Sequence, residues 1–291
     1  MPEIRNSGAE SKSSSIKMPA CFGNLKSKAG VGFLIIFQKN VPKMPFHSLK
    51  LFSSVCLLAL FLLVTGCQKE NSTDCFKSTG TVTTLTRSID PFSEIFIEDN
   101  IEVVLVQDTE RYLEIKAGEN LQSNILTEIS GERLTISNIN KCNWVRSYRK
   151  QIVVTIHTPT LASIRHDGHN TLRTEGEFKT DKLFLHVTGA GDTKLNLTCN
   201  YLWMDMYEVG NVELQGSAET LIAEVWGLGK LYGKDFKTNY TNVMVRYGGD
   251  ATVNAQQGID ALLTNIGNLY YYGKPGYKKI QIAGKGKATA M

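Results

Sequence analysis

Six acidic residues in the C-terminal half of the chain are the first candidates for acid–base chemistry. Glycoside hydrolysis needs two carboxyl groups that face each other across a cleft. These six are spread between residues 192 and 250, and most have a lysine or threonine at the equivalent position one repeat away. The pattern indicates solvated surface charges, and we expect no catalytic pair among Asp192, Asp205, Glu208, Glu213, Glu224 and Asp250.

Histidine and Gly-Asp motifs are the candidates for metal binding. The segment His166-Asp167-Gly168-His169 could form a metal or acid–base cluster, but its irregular position favours a polar turn. The sequences GAGD and GGDA lack the nine-residue period of calcium-binding repeats, and no Cys/His spacing indicates zinc. No nucleophile elbow, phosphate loop or HExxH motif occurs. The sequence therefore predicts no catalytic residue, no metal and no cofactor.

Large apolar side chains recur at a constant interval at positions that should face solvent. Phe184, Trp203 and Ile222 form one series, and Tyr207 and Trp226 form a second with the same interval. On neighbouring coils, about 4.8 Å apart, they would form a contiguous patch, which commonly marks an interface. Three interpretations are open. N-terminal strands or the segment 140–150 cover the patch, a protein or second subunit binds it, or glycans stack on it.

Three consecutive tyrosines occur in NIGNLYYYGKPG, residues 265–276. Because alternate side chains of a strand face opposite sides, they cannot share one environment. We expect Tyr271 in the core and Tyr270 and Tyr272 outside. With Tyr232 they form a second outward set, which either packs an edge or contributes to binding.

A glycine recurs with a nearly fixed period, and we call these residues the marker glycines. They are Gly168, Gly191, Gly210, Gly229, Gly249, Gly267 and Gly286, and all the intervals after the first are nearly equal. A fixed period of about 20 indicates a solenoid, and no leucine-rich or helical pattern fits within one unit. The sequence predicts a β-solenoid of about six or seven coils.

Aliphatic residues fill the positions two and four after the marker and four before it, so these positions should form the interior. In the first coil they include Asn170 and Leu172, and in the last coil Ile282 and Ala290. Positions one, three and five after the marker are polar and should face water. The marker glycine itself should supply a bend with positive φ.

The N-terminal segment resembles a bacterial lipoprotein leader. Residues 1–43 are interpreted as an over-extended start, and 44–66 as a signal peptide with an apolar run of about 14 residues, too short to cross a bilayer. Val64-Thr65-Gly66-Cys67 resembles a lipobox, which makes Cys67 the lipidated residue. An ordinary signal peptide with an incidental cysteine is the alternative. Residues 67–80 would be a tether to the membrane.

Charge and cysteine content narrow the class of protein further. Of 32 basic and 28 acidic residues, 8 and 2 lie in residues 1–66, so the remainder carries a net charge of −2. This balance argues against a nucleic-acid partner. Cys75, Cys142 and Cys199 remain after the leader, which permits one disulfide. The sequence does not choose the pair, and Cys75 with Cys142 is preferred.

The repeat and its flanking motifs resemble one family, the "head GIN domain" of auto-transporter adhesins, abundant in Bacteroidetes lipoproteins. The resemblance covers about residues 91–290. It depends on PFSEIFIEDNIEVVLVQDTERYLEIKAGENL (91–121), on Thr158-Pro159-Thr160-Leu161, and on GNLYYYGKPG. The chain departs from the family's Ser-Gly-x-Gly turn, with Thr188-Gly189-Ala190-Gly191 instead. The resemblance implies a right-handed parallel β-helix and a surface location, and no established activity.

Together these observations predict an all-β protein with a small N-terminal β region, residues 81–160, followed by a β-solenoid, residues 161–291. We expect a non-catalytic cell-envelope lipoprotein at the outer membrane or cell surface, or facing the periplasm. Its outer face would bind a protein, a glycan or a second copy of the chain. A carbohydrate-active enzyme and a purely architectural, self-associating protein are the alternatives.

Overall fold

The computed structural model describes residues 78–140 and 151–291, and the structural statements below concern these residues. They are mostly strands, with a 3₁₀ turn at Gln122–Asn124. The strands are β1 (Val82–Ser88), β2 (Glu94–Ile97), β3 (Glu102–Gln107), β4 (Tyr112–Gly118), β5 (Ile125–Ser130), β6 (Arg133–Asn138), β7 (Val153–Thr158), β8 (Ser163–His166), β9 (Leu172–Glu175), β10 (Phe178–Lys179), β11 (Lys182–Val187), β12 (Thr193–Met206), β13 (Val212–Val225), β14 (Leu231–Val245), β15 (Ala251–Leu263), β16 (Leu269–Tyr272), β17 (Tyr277–Ile282) and β18 (Ala288–Ala290).

Successive coils stack through two parallel ladders. Ladder A contains β6, β2, β8, β11, the C-terminal halves of β12 to β15, and β17. Ladder B contains β7, β3, β9, the N-terminal halves of β12 to β15, β16 and β18. The result is a β-solenoid of about seven turns, so the predicted fold class is confirmed.

The core is one continuous column of apolar side chains between the two ladders. In β13, Leu221, Ala223 and Val225 are buried, while Ile222 and Glu224 between them are more exposed. The same alternation in the other coils joins all interior positions into a single cluster from Phe92 to Leu269. Because burial of a Leu or Val side chain contributes about 1.5–3 kcal/mol, coil stacking is the main source of stability.

Antiparallel strands close the N-terminal end of the stack. β5 pairs with β6, β4 pairs with β7, and β1 pairs with β4, all antiparallel. This arrangement ends the parallel stacking, as capping units of solenoids do. β2 and β3 pair in parallel with β8 and β9. The coils therefore extend N-terminal to residue 161, the boundary expected from the periodicity.

Close backbone approach explains the marker glycines. A Cβ atom built at Gly210, Gly229 or Gly249 would overlap the carbonyl oxygen of the marker glycine one coil earlier. Among the described residues, no marker glycine has a positive φ, so the expected left-handed bend is wrong. Glycine is needed here because any side chain would push neighbouring coils apart.

One outward column, one residue after the marker, forms a hydrogen-bond ladder that we call the polar ladder. Oδ1 of Asp192 accepts hydrogen bonds from the backbone N–H (3.0 Å) and side-chain amide (3.1 Å) of Asn211. Oδ1 of Asn211 accepts one from the backbone N–H of Lys230 (3.0 Å). The same pattern recurs from Asp250 through Asn268 to Lys287. Nζ of Lys230, 3.1 Å from Oδ2 of Asp250, joins the two triplets.

The first and last coils differ from the predicted register. Leu172 pairs with Thr193, so it lies two residues after the marker position, which Asn170 occupies. Leu172 is buried as expected, but the expectation that Asn170 is interior is wrong, because this coil is longer than the others and the register is shifted by two residues. Ile282, at 50% exposure, and Ala290 are exposed rather than interior. The reason is that β17 and β18 are each paired on one side only.

The structure describes one cysteine, Cys199, and also bears on whether a helix could span a membrane. Cys199 is a free, buried thiol, and burial raises its pKa to about 11. Cys67, Cys75 and Cys142 lie outside the described residues, so the lipidation and the disulfide stay predictions. Within residues 78–140 and 151–291, no helix is long and apolar enough to span a membrane.

Candidate functional site

Five large apolar side chains lie on the outer surface of ladder A, and we call them the aromatic face: Phe184, Trp203, Tyr207, Ile222 and Trp226. The register pairs Phe184 with Trp203 and Trp203 with Ile222. The ring centroids of Phe184 and Trp203 are 6.4 Å apart. The N-terminal strands β2 and β6 extend ladder A at its end, and Phe184, Tyr207 and Trp226 remain 41%, 46% and 40% exposed. The constant interval in the sequence therefore places these side chains together.

Stacking within the aromatic face determines which rings are accessible. Tyr207 and Trp226 stack with centroids 6.0 Å apart and planes 8° apart. The guanidinium of Arg246 lies 4.5 Å from the centroid of the Trp226 ring, and its Nε is 3.3 Å from Oε2 of Glu224. Trp226 is thus flanked by Tyr207 and Arg246, whereas Phe184 makes only tilted ring contacts. Phe184 has no stacked partner and Tyr207 is stacked on one side only, so these two rings have the freest faces, although Trp226 is also 40% exposed.

A buried carboxylate lies beneath the aromatic face. Asp205 is only 4% exposed although its position in ladder A faces outward. Its Oδ1 is 3.0 Å from Nδ1 of His186, and the nearby Tyr207 hydroxyl, like His186, acts to lower its pKa. Burial raises the pKa of Asp205 despite the opposing effect of His186. Sequence reasoning placed Asp205 among solvated charges. The signal for this pair was His186, one coil earlier in the same column.

An open cavity of about 600 Å³ lies at the N-terminal side of the aromatic face. It forms where Ser163, a small residue, lies in register between Glu94 and Phe184. Its lining includes Ser163, Arg165, Phe184, His186, Thr188, Asp205 and Tyr207, together with the ion pair of Glu94 and Arg133. The guanidinium of Arg165 lies 5.0 Å from the centroid of the Phe96 ring. This cavity brings aromatic and polar side chains together.

The second tyrosine set lies on ladder B, apart from the aromatic face. Tyr232 is 47% exposed, and Thr252 separates it from Tyr270 in their shared column. Tyr270 and Tyr272 are partly buried, and Nζ of Lys234 is 5.4 Å from the centroid of the Tyr272 ring. Tyr271 packs against the core. These tyrosines do not form one continuous surface.

His166 is buried in the core rather than exposed in a polar turn. It is 0% exposed, and its Nδ1 lies 2.8 Å from Oγ1 of Thr193. Burial lowers the pKa of His166 to about 4, so the imidazole is neutral at physiological pH. The expectation of a polar turn is wrong for this residue. No group of three His, Cys, Asp or Glu side chains in the described parts of the chain is placed to hold a metal.

The remaining acidic candidates are engaged or dispersed. Asp192 and Asp250 belong to the polar ladder. Glu213 lies 4.0 Å from Nζ of Lys194 on ladder B, and Glu208 is exposed at a turn. Asp205 and Glu224 are neighbours on ladder A, and Glu224 is paired with Arg246. The six carboxylates therefore do not converge on one cleft.

The fold and the site define the class: a two-sided β-solenoid with an aromatic face and a cavity on one outer wall. The chain belongs to the family described as "Putative auto-transporter adhesin, head GIN domain", which matches residues 91–275. The resemblance seen in the sequence is confirmed. Among curated proteins, none matches the chain.

Solved structures with the same fold support this assignment. A putative adhesin from Bacteroides fragilis NCTC 9343 is 25% identical with a TM-score of 0.68, covering 72% of this chain and 97% of that one. A putative adhesin from Parabacteroides distasonis ATCC 8503 is 19% identical with a TM-score of 0.59, covering 73% and 98%. A "putative lipid binding protein" from the same strain is 20% identical with a TM-score of 0.54, covering 74% and 98%. The last two show a shared fold alone.

Proposed function

We propose that this protein is a lipid-anchored, non-catalytic adhesin-like module that presents the aromatic face to a protein or glycan partner. The observation that carries the proposal is the exposure of Phe184 and Tyr207 on a surface where β8, β11 and β12 are rigidly paired on both sides. Contiguous apolar side chains on a soluble surface commonly mark an interaction site. A stiff solenoid holds them in fixed positions, which limits the entropy lost on binding.

The proposed anchor is a lipid on Cys67, with residues 68–80 as the tether. The lipobox-like Val64-Thr65-Gly66 and the preceding apolar run support it. The anchor would hold the solenoid at the outer membrane, facing the outside or the periplasm. Mass spectrometry of the membrane fraction tests this: the diacyl or triacyl mass should be on Cys67 and be lost in Cys67→Ser.

The contacts of the carboxylates favour binding over catalysis. Glu224 is paired with Arg246, and Asp205 is buried beneath Tyr207 and His186. A general acid or nucleophile must reach the scissile bond, and both carboxylates are instead engaged by a neighbouring cation or imidazole. Turnover of a polysaccharide panel that is lost in Asp205→Asn would contradict this part of the proposal.

The binding proposal is tested by removing the two accessible rings. The purified chain is screened on glycan and protein arrays, and the ligands found are titrated against Phe184→Ser with Tyr207→Ser. We expect affinity to fall at least tenfold, since accessible aromatic residues often dominate interface energy. Tyr232→Ser, on ladder B, is the matched control and should bind normally. Unchanged binding by a folded double variant would show that the aromatic face is not the site.

A further inference from the structure

The cavity beside the aromatic face has a cation that no carboxylate neutralises. Nε and Nη2 of Arg133 lie 3.0 Å and 2.9 Å from Oε2 of Glu94, which satisfies that pair. Asp205 is engaged by His186, whose Nδ1 lies 3.0 Å from its Oδ1. Arg165 is exposed, its only side-chain partner in residues 78–140 and 151–291 being the ring of Phe96, and no carboxylate there lies within ion-pair distance. A positive charge is therefore available to a ligand.

Further polar groups in the same cavity have unused hydrogen-bonding capacity. The side-chain oxygen of Thr188 is buried without a hydrogen-bond partner in the described part of the chain. His186 uses Nδ1 for Asp205, and Nε2 has no partner among the described residues. These groups lie around Arg165 on neighbouring coils of ladder A.

Aromatic side chains bound the cavity. Phe184 is 41% exposed. Tyr207 stacks on Trp226 of the following coil, and it lines the cavity. Aromatic faces attract the aliphatic C–H surface of sugar rings, and an arginine fork matches a carboxylate. The volume of about 600 Å³ lies in the usual range of ligand pockets.

From this combination we propose that the cavity binds a hexuronic acid residue of an acidic glycan, with Arg165 pairing with the carboxylate and Phe184 and Tyr207 flanking the sugar ring. The inference rests on the proposed function, because it names the ligand of the same face. An extended acidic peptide fits less well. Strand addition by such a peptide needs a free sheet edge, and the strands of this wall, β8, β11 and β12, have none.

The test is a calorimetric titration of the purified full chain in detergent with tetragalacturonic acid and with its methyl ester, which removes the charge and keeps the ring. We expect the acid to bind at least tenfold more tightly than the ester, since a charge-assisted pair is worth about that factor. Arg165→Gln should remove the difference, and Arg165→Lys should keep part of it. Arg173→Gln is the matched control, because Arg173 carries the same charge on ladder B beside Glu102.

Each other outcome overturns the inference. Equal affinity for acid and ester, no binding of either, unchanged binding by a folded Arg165→Gln, or equal binding of sodium acetate alone would each do so. A neutral glycan or protein that loses affinity in the Phe184→Ser, Tyr207→Ser variant would sink the acidic-sugar inference and leave the proposed function standing. If that variant bound every ligand as tightly as the unmodified protein, both the acidic-sugar inference and the proposed function would be wrong.

Discussion

Asp205 and Glu224 occupy the same outward column on adjacent coils, but only Glu224 has an arginine partner. Burial, and to a smaller extent the neighbouring Glu224, raise the pKa of Asp205. A carboxyl whose pKa is raised by folding destabilises the native state at pH values above that pKa. The charge on Asp205 therefore opposes folding at neutral pH and is retained beside the proposed binding site.

Replacing Asp205 by a neutral amide should stabilise the protein. We expect Asp205→Asn to raise the free energy of unfolding at pH 7, with the gain disappearing in acid, where both side chains are neutral. Urea unfolding at pH 7 and pH 3.5 measures this. Glu224→Gln is the control and should give no gain, because it removes the partner of Arg246. A less stable Asp205→Asn at pH 7 would contradict the electrostatic account.

The column of marker glycines should tolerate no side chain. In Gly229→Ala the new Cβ would overlap the carbonyl oxygen of Gly210, so two coils must separate. We expect a loss of at least about 2 kcal/mol in unfolding free energy, in the range of overpacked cores. Gly276→Ala, whose Cβ would meet only the carbonyl oxygen of Gln257 at 4.0 Å, should be nearly neutral. Similar denaturation midpoints for the two variants would refute the close-approach argument.

Stability should fall in mild acid because of His166. Its pKa of about 4 lies below the ordinary value of 6.5, so the unfolded chain binds the proton first. The contribution of neutral His166 to the free energy of unfolding is fully present above about pH 6.5. It falls by about 3 kcal/mol as the pH decreases towards 4. The variant His166→Leu with Thr193→Val should remove most of this dependence in chemical denaturation between pH 7 and 4. An unchanged pH slope in that variant would assign the effect to other groups.

The polar ladder should contribute to stability despite its position at the surface. Asn211→Ala removes the side-chain bonds to Asp192 and Lys230, each worth about 0.5–1.5 kcal/mol. We expect a decrease of about 1–2 kcal/mol in unfolding free energy. Asn242→Ala is the comparison, because within the described residues the Asn242 side chain makes no hydrogen bond. If the two variants unfold alike, the ladder is not stabilising.

The fold was largely predictable because stacking repeats the same requirement in every coil. Leu195, Leu214 and Val253 occupy equivalent interior positions, and the period of the glycines made that visible. The aromatic series was predictable for the same reason, since an interval of one coil places Phe184 beside Trp203. Periodicity failed at the ends, where Asn170 lies in a longer coil and Ile282 has a neighbour on one side only.

Contacts between coils were not predictable from one strand at a time. The burial of Asp205 depends on His186 and Tyr207, which approach it from a neighbouring coil and from two residues further along the strand. The role of the marker glycines depends on the distance between the backbones of two neighbouring coils, which the sequence of one coil does not reveal. His166 is polar in type but lies in register with Ile97 and Val187. To predict the environment of such residues one must know their neighbours on the adjacent coils, and these follow only from the register of the strands.

Acid, amide and lysine follow one another along the polar ladder with a period of three coils. The order begins at Asp192 and starts again at Asp250. If a relative gained or lost a single coil within the polar ladder, some of these side chains would meet a different partner from the one they have here. The Lys230–Asp250 ion pair would then be lost. The gain of three coils together, about 14 Å of length, would keep every acid–amide, amide–lysine and lysine–acid contact of the ladder.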